Sequence, residues 1–255
     1  MTAFLQRVRQ QRPAGAEAVS DFASLYRWSV DRPEAFWPEV WAFCGVTAAE
    51  RPGRAPWDEV VVGLDRMAPP DPDLGPVWFT GARLNFAENL LRYRDEREAI
   101  VFWNEQGRQR SLTFAQLAAE TARFAAALRS AGVGRGDRVA GFLPNIPETV
   151  IAMLGTASIG AIWSSCSPDF GSSGVLDRFG QIEPKVLVCA ASYRYSGKEI
   201  DCLERVRDIV RRLTAIERVV VVPYLDSGRS LDGIRDAVWW NDFVIPSETR
   251  DLHSR

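Results

Sequence analysis

The chain has 255 residues, 46% hydrophobic and 25% charged, enough to bury a sizeable core in one large domain or two modest ones. Its formal charge of −2, with Lys and Arg interspersed among acids, leaves no basic face, so neither nucleic acid nor an anionic membrane surface is an expected partner. Cysteines at 44, 166, 189 and 202 show neither Cys-x-x-Cys spacing nor the density of a secreted disulfide scaffold, and Arg7, Arg9 and Arg12 are not followed by an apolar signal core, so a reducing, cytoplasmic setting is expected.

Residues 1–95 are rich in Trp and Pro. Asp31 to Glu34 is expected to cap a helix carrying Phe36, Trp37, Val40, Trp41 and Phe43, whose helical spacing marks these rings as core anchors and not a stacking platform. Pro69 to Pro72 reads as a rigid loop. From Ala99 the pattern changes. Ile100 to Trp103 and Gln109 to Leu112 flank Asn104 to Gly107, a hairpin signal with Gly where positive φ is needed. Thr113 and Gln116 then form a capping box for a helix whose Phe114, Leu117, Ala118, Thr121, Phe124, Ala125 and Leu128 share one face.

Short apolar runs follow at Val139 to Leu143, Ala161 to Cys166, Lys185 to Cys189 and Arg218 to Val222, separated by helical patterns near Pro147 to Ile159, Ser172 to Ile182 and Ile200 to Leu213. This alternation predicts an α/β fold with a doubly wound parallel sheet, its strands buried on both faces. The uncharged run Thr149 to Pro168 is long enough to span a bilayer, but Gly155, Gly160 and its Ser and Thr residues dilute its hydrophobicity. Asn145 to Glu148 supplies a helix start and Gly160 a stop, so the run reads as a buried helix followed by a buried strand.

Gly132-Val-Gly-Arg-Gly136 follows a helix and precedes a strand, the reverse of the order a dinucleotide fingerprint requires, and reads as a helix C-cap and turn. His253 is the single histidine and lies in a polar tail, so no Ser-His-Asp triad and no metal site is expected. Two segments hold more promise. At Asp169-Phe170-Gly171-Ser172-Ser173 a strand feeds a Gly-containing turn that opens a helix, leaving N–H groups that favour an anion such as phosphate; the plain alternative is an ordinary connection with Asp or Ser as the N-cap. Tyr193 to Lys198, just after the strand ending at Cys189, is a basic loop, either solvated or facing a ligand.

The stretch SSCSPDFGSSGVLDRFGQIEPKVLV, Ser164 to Val188, resembles the adenylate-forming acyl-CoA synthetases, and among them the acetoacetyl-CoA synthetases most closely. WSVDRPEAFWPEVWAFCGV, Trp28 to Val46, and VWFTGARLNFAENLLR, Val77 to Arg92, look like the N-terminal cap of the acetyl- and acetoacetyl-CoA synthetase branch. The resemblance implies a cap over residues 1–95, the first part of an AMP-binding α/β domain of the adenylate-forming type over 96–243, and a non-family tail at 244–255. It implies ATP, Mg²⁺ and coenzyme A as the family's cofactors and a short acid such as acetoacetate as substrate. Phe170, Gly171 and Ser172 match positions that contact coenzyme A. Gly197 and Lys198 match the second half of an Arg-Gly-Gly-Arg motif that holds the coenzyme's phosphates, while Tyr195 falls where the first Arg would be and Arg194 is displaced by one residue.

No Ser/Thr/Gly-rich segment of the Thr-Ser-Gly-Thr-Thr-Gly kind occurs, and the run VIPSETRDLHSR after Phe243 is polar and without periodicity. The expectation is therefore a truncated or frame-shifted N-terminal portion that is inactive alone, with a natural short variant as the alternative. Two other function classes share the sheet. A catalytically silent binding or assembly module needs no ATP loop; a dinucleotide-dependent oxidoreductase needs a strand-Gly-x-Gly-x-x-Gly-helix unit that this sequence lacks. An acetyl- or propionyl-CoA synthetase stays open, because the acyl pocket is not readable.

Overall fold

A computed structural model describes residues 1–65, 75–225 and 228–244. The expected rigid loop at Pro69 to Pro72 and most of the polar tail lie outside the described residues. The chain divides into two compact units, Met1–Asn85 and Phe86–Arg255.

In the first unit, helices α1 (Thr2–Gln11), α2 (Phe22–Asp31) and α3 (Pro33–Cys44) are followed by short strands β1 (Val61–Val62) and β2 (Val77–Trp78), which pair antiparallel. Asp21 caps α2 reciprocally with Ser24. The expected cap at Asp31 is not observed: Asp31 ends α2, and α3 starts on Pro33 from Arg32 with no capping side chain. Proline at the first helical position supplies a preset φ and needs no N–H partner, so the helix starts without a side-chain cap. The aromatic residues pack against one another, as their spacing predicts. Trp28, 4% exposed, sits in a cluster with Phe4, Val8, Leu25 and Phe36, and Trp41, Trp57 and Phe79 form a triangle with centroids 4.7 to 5.0 Å apart. Trp37 and Phe43 are exceptions at 40% and 43% exposed, although Trp37 meets Phe36 and Trp78 edge-on and Phe43 packs against Phe4.

The second unit opens with α4 (Phe86–Leu90) and an antiparallel hairpin, β3 (Glu98–Asn104) and β4 (Gly107–Thr113). Gly107 takes φ 98°, the positive value its turn demands. Thr113 and Gln116 form the expected capping box at the start of α5 (Phe114–Ser130). Then come β5 (Arg138–Phe142), α6 (Pro147–Ser158), β6 (Ile162–Cys166), α7 (Ser172–Ile182) and β7 (Val186–Ala190). A second antiparallel hairpin, β8 (Ser192–Tyr195) and β9 (Lys198–Asp201), precedes α8 (Leu203–Arg212), β10 (Arg218–Val222), β11 (Ala237–Trp239) and α9 (Trp240–Val244). Two expectations are corrected here. Residues 193–198 are not an open loop but the hairpin, and the last long helix starts at Leu203, three residues beyond Ile200.

The main sheet has the order β11-β10-β7-β5-β6, and every neighbouring pair is parallel. Along β7, Val186, Val188 and Ala190 face a core shared with Leu117, Phe124 and Leu128 of α5 and Ile151 and Leu154 of α6. Leu187 and Cys189 face the opposite core, with Val175 and Phe179 of α7 and Val206, Ile209 and Val210 of α8. Helices therefore cover both faces, which makes the sheet doubly wound and explains why the central strands β7 and β10 read as apolar runs. In chain order the parallel strands run 2-1-3-4-5, so the connections leaving the adjacent strands β5 and β7 run in opposite directions, toward β6 and toward β10. Beyond the carboxyl ends of strands flanking such a reversal, a crevice opens where ligands bind in open α/β sheets. Among the described residues no helix is long and apolar enough to cross a membrane; α6 ends at Ser158 and the uncharged run continues as β6.

Candidate functional site at the carboxyl ends of the parallel strands

Both segments singled out in the sequence leave the carboxyl ends of parallel strands, one from β7, which flanks the reversal, and one from the edge strand β6 beside β5. The chain departs β6 at Cys166, turns through Ser167 to Gly171 and enters α7. It departs β7 at Ala190 and builds the β8–β9 hairpin before α8.

In the first turn Phe170 is 38% exposed, with the Arg178 guanidinium 4.4 Å from its ring centroid. Gly171 is the N-cap of α7 and no side chain caps the helix, so the first-turn amides keep their attraction for negative charge. A methyl group added at Gly171 would meet nothing within 4 Å, which leaves the backbone open to approach. Ser172 is the first helical residue and is half-buried. Neither Asp169 nor Ser172 is the N-cap. Asp169 instead accepts from Ser167 Oγ at 2.9 Å and from the Tyr193 hydroxyl at 2.8 Å.

That last bond brings the two segments together, because Tyr193 belongs to β8. Tyr193 is 6% exposed, and burial followed by its bond to Asp169 pushes its hydroxyl above the usual tyrosine range, while Arg205 pulls the other way. Arg205, from α8, donates to the Pro168 carbonyl at 2.6 Å and to that of Phe170 at 3.5 Å, so the turn is gripped from two sides.

The hairpin itself closes tightly. Tyr195 pairs with Lys198, and Ser196 (φ 52°) and Gly197 (φ 73°) are both left-handed, the two-residue turn whose twist suits adjoining strands. Arg194 is half-buried opposite Glu199, and its Nε is buried without a hydrogen-bond partner. Lys198 is exposed, and no ion pair holds it among the described residues. The base is fixed by Arg229, whose Nε donates to Asp201 Oδ2 at 2.6 Å, Nη2 to Glu199 Oε1 at 2.7 Å and Nη1 to Ser192 Oγ at 3.2 Å. Burial pushes the Asp201 carboxyl up, but the bonds from Arg229 and the Leu203 amide outweigh it and leave the group below the usual carboxylate range. At the tip, the Ser196 and Gly197 amides donate to the two oxygens of Glu105, at 2.6 and 2.7 Å. Glu105 belongs to the β3–β4 turn, more than ninety residues away in sequence.

The structure thus gathers Phe170, Gly171 and Ser172 on one turn and Arg194, Gly197 and Lys198 on the hairpin tied to it. Sequence reasoning gave no role to Tyr193, Arg205, Arg229 or Glu105. The Ser-Gly pair inside an alternating Tyr-Arg-Tyr run is the signal that could have revealed the hairpin; nothing local marks Glu105 as its partner. No group of three or more His, Cys, Asp or Glu side chains among the described residues is placed to hold a metal ion.

A family model described as AMP-binding enzyme matches residues 86–248. The chain belongs to the AMP-binding enzyme family. A second model, the acetyl-coenzyme A synthetase N-terminus, matches residues 22–90. Among relatives of the chain, acetoacetyl-CoA synthetase of Danio rerio is 41% identical over 237 residues, 91% of this chain and 34% of that protein. Acetoacetyl-coenzyme A synthetase of Rhizobium meliloti is 43% identical over 226 residues, 88% of this chain and 33% of that protein. The solved acetoacetyl-CoA synthetase from Streptomyces lividans superposes with a TM-score of 0.82 at 37% identity, covering 96% of this chain and 36% of that one. The α/β architecture with its parallel sheet is therefore that of the acetoacetyl-CoA synthetase fold, and the chain spans about a third of the length of the curated relatives it matches.

Proposed function

We propose that this chain supplies the coenzyme A side of an acetoacetate–CoA ligase, which joins an acid and coenzyme A at the expense of ATP, yielding acyl-CoA, AMP and pyrophosphate. The single observation that carries the reading is the Tyr193–Asp169 bond, which ties an open turn at a helix start to a hairpin bearing two cations. In this reading residues 1–95 are the cap and 96–243 the first part of the AMP-binding domain. The residues present fit the coenzyme's phosphates: Arg194 keeps an unpartnered buried Nε, Lys198 is exposed, and no side chain blocks Gly171. Bound coenzyme A would supply the acyl-accepting thiol. Phe170, Gly171 and Ser172 would receive its arm against the backbone, and Arg194, Gly197 and Lys198 would hold its phosphates. Acetoacetate as the acid rests on the acetoacetyl-CoA synthetases among the relatives. The four free cysteines suit the reducing, cytoplasmic setting that belongs to the same proposal.

Calorimetric titration with coenzyme A tests this. Arg194→Ala with Lys198→Ala should weaken binding about tenfold at low salt and only about threefold at physiological ionic strength, where charges are screened within about 8 Å. Unchanged titrations at low salt would remove the hairpin from the site. ATP and Mg²⁺ belong to the proposed reaction, but this sequence holds no Ser/Thr/Gly-rich phosphate loop of the family kind, so the purified 255-residue polypeptide is proposed to release no pyrophosphate on its own. ATP–pyrophosphate exchange above a no-acid blank would contradict that.

A further inference from the structure

The tip of the β8–β9 hairpin already holds an anion, and that anion is part of the chain. Two consecutive residues in the left-handed region aim their N–H groups into one concavity, a backbone arrangement that binds anions through main-chain dipoles. Both oxygens of the Glu105 carboxylate fill it, at 2.6 and 2.7 Å. Arg194 Nε is buried without a partner, Lys198 has no ion pair among the described residues, and Glu199, the other nearby acid, is engaged by Arg229.

We propose that Glu105 is a built-in competitor for the anion site at this tip: its carboxylate occupies the Ser196 and Gly197 amides that a phosphate monoester would otherwise take, and so determines how tightly such a ligand is held. The inference rests on the coenzyme reading only for the identity of the physiological ligand. Two oxygens of a phosphate can make the same pair of bonds, and a phosphate drawn in by Arg194 and Lys198 must displace Glu105 or settle beside its negative charge. Glu105 sits in the turn of a separate hairpin, after Asn104 and before Gly107, so it can leave the concavity without breaking the β8–β9 ladder. Removing its charge should therefore strengthen anion binding, whereas a group that merely braced the tip would weaken it when removed.

The test uses the whole chain, with inorganic phosphate as one probe and coenzyme A as the other, at constant ionic strength. Titration of Glu105→Ala with phosphate, followed by amide NMR, should give saturable shifts at Ser196 and Gly197 at concentrations that leave the wild-type resonances in place. Glu105→Gln keeps a neutral acceptor to brace the tip and guards against collapse of the turn in the alanine variant; it should respond between the two. Amides that do not shift in either variant, or that shift equally in the wild type, overturn the competition. In calorimetry Glu105→Gln should bind coenzyme A about threefold more tightly than wild type at 0.15 M salt, as expected for removing one like charge several ångströms from a phosphate, with a larger gain at low salt. If phosphate shifts the amides while coenzyme A affinity is indifferent both to Glu105→Gln and to Arg194→Ala with Lys198→Ala, the competition stands and the coenzyme reading falls.

Discussion

Replacing Tyr193 by Phe removes one hydroxyl and leaves the ring that β8 buries, so it isolates the bond joining the two halves of the site. In the wild type that hydroxyl donates to Asp169 Oδ1 at 2.8 Å. A hydrogen bond to a charged group contributes about 1.5 to 3 kcal/mol when shielded. Asp169 is exposed and keeps its bond from Ser167, so water can replace the lost donor and the cost falls to about 1 kcal/mol. For a unit of this size that corresponds to a melting temperature lowered by about 2 to 4 °C. The same loosening should weaken coenzyme A binding about fivefold, the factor equivalent to about 1 kcal/mol. The pH dependence gives an independent signature. Because burial and Asp169 raise the Tyr193 pKa in the folded state, the unfolded chain ionises first. The contribution is fully present below about pH 10 and is lost as pH rises through the elevated folded value. Urea unfolding followed by tryptophan fluorescence should show the two proteins separated at pH 8 and converging toward pH 11. Superimposable curves at pH 8, or a separation that persists unchanged to pH 11, would refute the reasoning.

Gly155 of α6 packs against α5, and a methyl group there would lie 2.8 Å from Phe124 Cδ1 and 3.3 Å from the Thr121 carbonyl. Gly155→Ala should therefore destabilise the unit by about 1 to 3 kcal/mol despite alanine's better helix propensity, and a denaturant midpoint equal to wild type would exclude this. Alkylation of the native chain with iodoacetamide should label exposed Cys44 ahead of Cys166, Cys189 and Cys202, since burial raises all three of those thiols, Cys202 to about 11; peptide mass spectrometry showing Cys202 labelled as fast as Cys44 would contradict the packing. Asp201 is depressed in the folded state, so its contribution through Arg229 is present above about pH 4 and is lost as pH falls through the folded value. Protection factors of the β8–β9 hairpin amides, corrected for the intrinsic slowing of exchange in acid, should thus fall on acidification in the wild type and much less in Arg229→Ala; equal acid dependence would rule the pair out as the cause.

The sheet was legible because its central strands are buried on both faces and so appear as apolar runs; Arg218–Val222 matches its expected bounds throughout, β5 and β7 are each shifted by one residue, and the edge strand β6 starts one residue late. Capping chemistry was legible where it is local and reciprocal, as at Thr113 and Gln116, and misleading at Asp31, where Pro33 starts the next helix without a side-chain cap. The β8–β9 hairpin was hidden because its strands are four residues each and β9 is mostly exposed, so no hydrophobic period betrays them. The site was half legible for the same reason. The turn from Asp169 to Ser173 was visible as a strand-to-helix connection, with Phe170 to Ser172 singled out through the family resemblance, whereas Glu105, Tyr193 and Arg205 act through contacts that only the fold creates.

The contact between Glu105 and the hairpin tip also bears on the order in which the chain assembles. Its partners are separated by 91 and 92 residues, whereas each hairpin closes over a handful. Closing a segment that long has an entropy cost that only contacts made on arrival can offset, and two bonds at an exposed tip are a small return. Docking of the two hairpins is thus expected after the parallel strands have paired, on the native side of the folding barrier. Substitutions at Glu105 would then leave the refolding rate nearly unchanged and appear in the unfolding rate alone, so the geometry of the anion site is the last feature gained and the first surrendered.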